Sequence, residues 1–192
     1  SAQLSATLVS RVEVAPDVWE VRLLQGCPSN VRIDGIPENG VITTVVKLLE
    51  MRSTNPITVS FQSLLRRVER VRPAQPTDPD PFSNVGVFSI NQMNVEGDIG
   101  PETPSPSFFI EAHNIHTIET GDSGRLTGGV RVLPYPGINE SNIFTVQIGG
   151  DILAPIHNPR GSVFKSIQSR FGSMIGSQVP GLLDVSVATF VG

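Results

Sequence analysis

Apolar residues alternate with polar ones through much of the first fifty positions, the spacing of half-buried strands. In LSATLVSRVEV (4–14) the alternation runs through Leu4, Ala6, Leu8, Val12 and Val14, with a slip near Val9 that a bulge would explain. Ala15-Pro16-Asp17 has turn chemistry, and VWEVRLL (18–24) then sets Trp19, Val21 and Leu23 against Val18, Glu20 and Arg22. The two runs predict a hairpin. Stretches 27–30 and 36–40 read as loops, and VITTVVKLLEM (41–51) is apolar enough to predict a strand covered on both faces.

The period then changes. In SFQSLLRRVERVR (60–72), Phe61, Leu64, Leu65, Val68 and Val71 keep the spacing of one helical stripe, with Ser60 placed as N-cap and Pro73 as stop. This predicts an amphipathic helix. SVFKSIQSRFGSMIG (162–176) predicts a second, with Val163, Phe164, Ile167, Phe171, Met174 and Ile175 on one side and Gly176 at C′, though Gly172 weakens its interior. Strands are predicted at 85–95, 125–135, 142–150 and 182–191. FFIEAHNIHTIET (108–120) fits a slipped strand or a short helix. The proline-rich stretches 73–84 and 97–107 predict long surface connections, and no internal repeat is evident.

Composition narrows the classes. Glycine and proline, 18 and 16 of 192 residues, exceed the usual combined share of about 12% and are spread along the chain, which favours many short strands with tight turns. One cysteine, Cys27, excludes an internal disulfide. No apolar run is long enough to span a bilayer. A net charge of −4 without a basic tail does not describe a primary nucleic-acid binder.

Several stretches invite chemical readings. Gly121-Asp122-Ser123-Gly124 spells the setting of a protease nucleophile. The only upstream histidines, His113 and His116, are too near, and Arg125-Leu126 follows where that family has Gly-Pro; His157 lies downstream with nothing to place it. A hairpin turn accounts for the four residues. His113 and His116 would share a helical face and could bind a metal with Glu111 or Glu119, but on a strand they point apart. Gly128-Gly129 and Gly149-Gly150 lack the lysine of a phosphate loop and read as bulges or close backbone approaches. Arg66, Arg67 and Arg70 offer a weak RNA contact on the predicted helix. Asn139-Glu140-Ser141 is a glycosylation sequon by pattern alone. These residues therefore predict no catalytic, cofactor or metal site.

SFQSLLRRVERV (60–71) resembles the short helix after the second strand in capsid proteins of picorna-like viruses, in the insect- and plant-infecting branches. RLTGGVRVLPY (125–135) and QVPGLLDVSV (178–187) are similar to later strands of the same subunits, in the same order. Thr127-Gly128-Gly129 departs from the family's Arg-Gly-Ser, and the low aromatic content departs as well. The resemblance implies an all-β, antiparallel jelly-roll β-sandwich with two short helices and long Pro-rich loops, a single domain over 1–192 in which 1–50 supplies an N-terminal arm and the first strands. It further implies a structural, non-enzymatic subunit of an icosahedral virion assembled in the host cytoplasm. Such a subunit would pack against other capsid subunits and need no cofactor. Ser1 and Gly192, both small, fit excision from a polyprotein. Two other readings stand beside it: a β-sandwich module binding protein or carbohydrate, and a serine hydrolase using Ser123 with His157 or His116.

Overall fold

The computed structural model describes residues 9–51, 53–74, 85–137, 143–158, 163–175 and 185–191. Among them are fifteen strands and no helix. In chain order they are β1 (Val9–Ala15), β2 (Val18–Leu23), β3 (Asn30–Ile33), β4 (Val45–Met51), β5 (Ile57–Phe61), β6 (Arg67–Pro73), β7 (Phe88–Val95) and β8 (Asp98–Ile99). There follow β9 (Ser105–Ala112), β10 (Asn114–Thr120), β11 (Gly128–Val132), β12 (Ile143–Ile148), β13 (Ile156–His157), β14 (Val163–Ile175) and β15 (Val185–Val191).

β1 and β2 form the expected antiparallel hairpin. Asp17 closes it at a φ of 53°, which aspartate tolerates because its carboxylate bonds locally. That carboxylate accepts the Trp19 Nε1–H and the hydroxyls of Thr43 and Thr44. Every other strand pairing is parallel. The chain winds between two sheets: the first stacks β1, β2, β4, β6, β9, β11 and β13, with β8 also on β6; the second runs β3, β5, β7, β10, β12, β14, β15. The product is a parallel β-solenoid of about five turns.

Its core is built of columns, each residue lying over its equivalent one turn away at the strand spacing of about 4.8 Å. Val21, Leu48, Val71, Ile110, Val130 and Ile156 form one column. Ile33, Phe61, Met93, Ile118 and Val146 form another, and Val46, Val68, Ile99, Leu126 and Ile152 a third. All of these are buried. Each contributes roughly 1.5–3 kcal/mol by leaving water. At the corner that leads into the third column, glycines stack as well: a Cβ on Gly97 would lie 2.0 Å from the Arg66 carbonyl oxygen, and one on Gly124 2.4 Å from that of Gly97.

This architecture replaces the antiparallel jelly-roll β-sandwich. Parallel pairing through successive turns is incompatible with Greek-key hairpins, and the two short helices are absent. The stretch 60–72 is β5, a turn and β6: Phe61, Leu65, Val68 and Val71 are all fully buried. Their intervals of four, three and three arise because the turn at 62–66 and a bulge near Arg70 insert residues into a two-residue period. Of the stretch 162–176, the described residues 163–175 are β14, with register shifts against β12 and β15. The stretch 108–120 is two strands broken at His113, and within β10 the three-residue spacing of buried Ile115 and Ile118 leaves His116 exposed and Thr117 half-buried between them. β4 alternates rather than being covered on both faces, since Lys47 and Leu49 remain partly exposed while Val46 and Leu48 are buried. β2 and β4 belong to the same sheet as β6, so the described part of the first fifty positions, from Val9 on, is part of the solenoid, and residues 1–8 lie outside the described residues. Of the Pro-rich loops, 97–107 is mostly β8, a short turn and the start of β9, whereas 75–84 and the sequon at 139–141 lie outside the described residues.

Candidate binding face

The protease-like stretch forms a solenoid corner between β10 and β11, not a hairpin. Ser123 is exposed there and, with Glu96, Gly121 and Asp122, lines an open depression of about 570 Å³. The three histidines are engaged elsewhere. His113 is buried edge-on to Tyr135, His116 stacks on Phe144 and His157 stacks on Phe108. No metal pair forms from His113 and His116, because one faces the interior and the other solvent. Glu111 and Glu119 stand on different strands, and the described residues contain no group of three His, Cys, Asp or Glu placed to hold a metal.

His113 has a structural task. Its Nδ1 accepts the Phe88 N–H at 2.9 Å, which makes the ring neutral with its proton on the buried Nε2. Burial holds its pKa below the ordinary 6.5. The unfolded chain therefore binds a proton that the folded chain resists. The stabilisation from the neutral ring is complete above pH 6.5 and is lost as pH falls from there towards the lower folded value. The urea midpoint is expected to decline as the pH is lowered through this window, and His113→Asn, which keeps an acceptor for Phe88, is expected to flatten the decline. A profile unchanged by the substitution would refute the assignment.

The three arginines of the presumed helix are dispersed. Arg66 is exposed at the turn; Arg67 stands in register with Asp98, beneath an alternating column of Asp98, Arg125 and Asp151 in which Arg125 bonds Asp98 at 2.7 Å. Arg70 lies on the outer surface of the first sheet, where the densest cluster of side-chain chemistry gathers. There Phe108 pairs with Gly129 and Ile110 with Val130, so Phe109 is an extra, bulged residue. The glycine pair makes room for both rings: a Cβ on Gly128 would meet Phe109 Cβ at 2.8 Å, and one on Gly129 would meet Phe108 Cδ1 at 2.9 Å. For Gly128-Gly129 the sequence suggested a bulge or a close approach; the close approach is there, and the bulge is on the facing strand.

Arginines lie over these rings. The Arg70 guanidinium is 4.5 Å from the Phe109 centroid and that of Arg131 is 4.7 Å from Phe108, while the His157 ring stacks on Phe108 at 5.8 Å. Glu111, 6% exposed, fixes two of the cations: Arg131 donates to its Oε2, and Arg72 approaches its Oε1 at 3.7 Å. One carboxylate thus serves two guanidiniums, and with Arg70 the patch carries an excess of positive charge on an acidic chain. Sequence reasoning missed the cluster because its members come from β6, β9, β11 and β13; the facing doublets Phe108-Phe109 and Gly128-Gly129 were its only local trace. No protein family, curated protein or solved structure matches this chain.

Proposed function

We propose that this chain is a non-enzymatic binding module, a rigid β-solenoid whose first sheet presents its outer face to an extended, carboxylate-bearing polysaccharide. The observation that carries the reading is the pairing of Arg70 with Phe109 and of Arg131 with Phe108 on neighbouring turns of one flat surface. The guanidiniums seated on Phe108 and Phe109, with that of Arg131 also held by Glu111, offer oriented donors to carboxylates along the chain of a sugar polymer. Because the cluster crosses β6, β9, β11 and β13, a ligand engaging all of it runs along the solenoid axis. A nucleic acid suits the face less well, since binding its dense phosphates needs many more cations than this acidic chain gathers here. The virion-shell role rested on a resemblance whose implied jelly roll the solenoid replaces.

The test is titration with polygalacturonate at fixed salt. Arg131→Ala and Arg70→Ala are each expected to weaken binding by about tenfold, the size of a typical anchoring contact, with unchanged far-UV circular dichroism. Equal affinity in parent and variants, or preference for a single-stranded RNA homopolymer under the same conditions, would overturn the proposal.

A further inference from the structure

Exposed apolar side chains gather at the turn that holds β1 and β2. Among the residues whose exposure is described, which end at 158, seven large apolar side chains are exposed, and five of them, Val12, Val14, Leu24, Ile36 and Val41, belong to the first described turn. β1 is also the edge strand of the first sheet, with one flank on β2 and the other unpaired among the described residues. An unpaired strand edge is a template for another strand.

β1 restricts which strand it will accept. Arg11 and Glu13 are two apart and share a face, paired across β2 with Val21 and Trp19. An added strand must place its own side chains beside this cation and this anion. An apolar strand would bury both charges and is rejected; a strand with the opposite charges in the opposite order is accepted. β1 itself, run antiparallel, is such a strand. With the two-fold axis at Val12, Arg11 of each copy faces Glu13 of the other and Val12 faces Val12. A one-residue slip turns the pattern over and loses both charge pairs.

We propose that two copies of this chain associate head to head through β1, joining their first sheets into one continuous sheet with paired Arg11–Glu13 contacts. The two-fold relation is self-complementary, as closed dimers require. The first sheets then continue through the junction.

Sedimentation equilibrium of the full chain tests this, with a concentration-dependent dimer as the expected result. Arg11→Glu and Glu13→Arg each set like charges against one another twice per dimer, and each is expected to weaken self-association by about tenfold or more. Mixing the two variants restores opposite charges across the junction and is expected to return a dimer of parental stability. That recovery separates a broken interface from a misfolded hairpin, which matters because Glu13 also accepts the Asp17 N–H. A parent that stays monomeric at its highest soluble concentration, a dimer indifferent to both reversals, or a mixture that stays monomeric would each overturn the proposal.

Discussion

Phe61→Ala is expected to destabilise the protein by about 3–5 kcal/mol, the usual cost of removing a buried aromatic ring. Phe61 is fully buried, and its column places it between Ile33 of β3 and Met93 of β7. In a globular core several elements can settle into a cavity. In a solenoid each turn packs only within itself and against the turns before and after, so few neighbours can move, and the strands above and below are held by their own ladders. The void should therefore remain largely open, and both interfaces of β5 should weaken together. Against a total stability of about 5–15 kcal/mol this is a large fraction, and the urea midpoint should fall accordingly. Phe61→Leu keeps most of the volume and should cost far less. An alanine variant within about 1 kcal/mol of the parent would mean that the column is not packed as described.

The sequence disclosed strands and turns but not how they stack. The β1–β2 hairpin was readable because alternation and turn chemistry are local, and Asp17 sits where a left-handed residue is needed. The helix predicted over 60–72 failed for a reason general to solenoids. Corners and bulges each insert one or two residues, so inward positions recur at three and four as often as at two, and a periodicity test then reports a helix. Gly97-Asp98-Ile99 and Gly150-Asp151-Ile152, with Gly124-Arg125-Leu126 between them at steps of 27 and 26 residues, were the repeat that the chain did carry. It went unseen because the corner demands only a small residue followed by an inward apolar one, and every other position of the turn is free to vary.

The candidate binding face was less legible still. Arg70, Phe108 and Arg131 are separated in sequence by whole turns, and nothing short of the register of β6, β9 and β11 brings them together. The single-residue signals pointed elsewhere, to Ser123 and the histidines. Those residues have familiar chemistry, but the solenoid puts Ser123 on an exposed corner and commits His113 to the Phe88 backbone. The doublet Gly128-Gly129 was read as a bulge or a close backbone approach; it is the close approach, and the bulge lies opposite it at Phe109. Reading it also as a seat for the rings of Phe108 and Phe109 required the strand pairing.

Gly149→Ala should be strongly damaging for so small a substitution, because the space beside Gly149 is filled by main chain. A Cβ there would lie 2.0 Å from the Gly121 carbonyl oxygen and 2.6 Å from the Asp122 carbonyl carbon. Backbone atoms cannot rotate aside as a flexible side chain can. The Gly149 N–H also donates to Thr120 Oγ1 at 2.8 Å, and the neighbouring Gly150 N–H donates to the Gly124 carbonyl at 2.8 Å, so the corner is tied at two points. Accommodating the methyl group means stretching both bonds and lifting one turn from the next, at a cost of about 1–3 kcal/mol or more. Gly40→Ala is the informative comparison. Gly40 has a φ of 76° and nothing within 4 Å of the added carbon, so its substitution carries only the left-handed penalty of about 1–2 kcal/mol. The corner between β12 and β13 also sets the position of His157, which stacks on Phe108. Gly149→Ala is therefore expected to lower the melting temperature more than Gly40→Ala and to weaken polygalacturonate binding, whereas Gly40→Ala leaves binding intact. Equal losses of stability, or unaltered binding by a destabilised Gly149→Ala protein, would show that the corner does not hold the face in register.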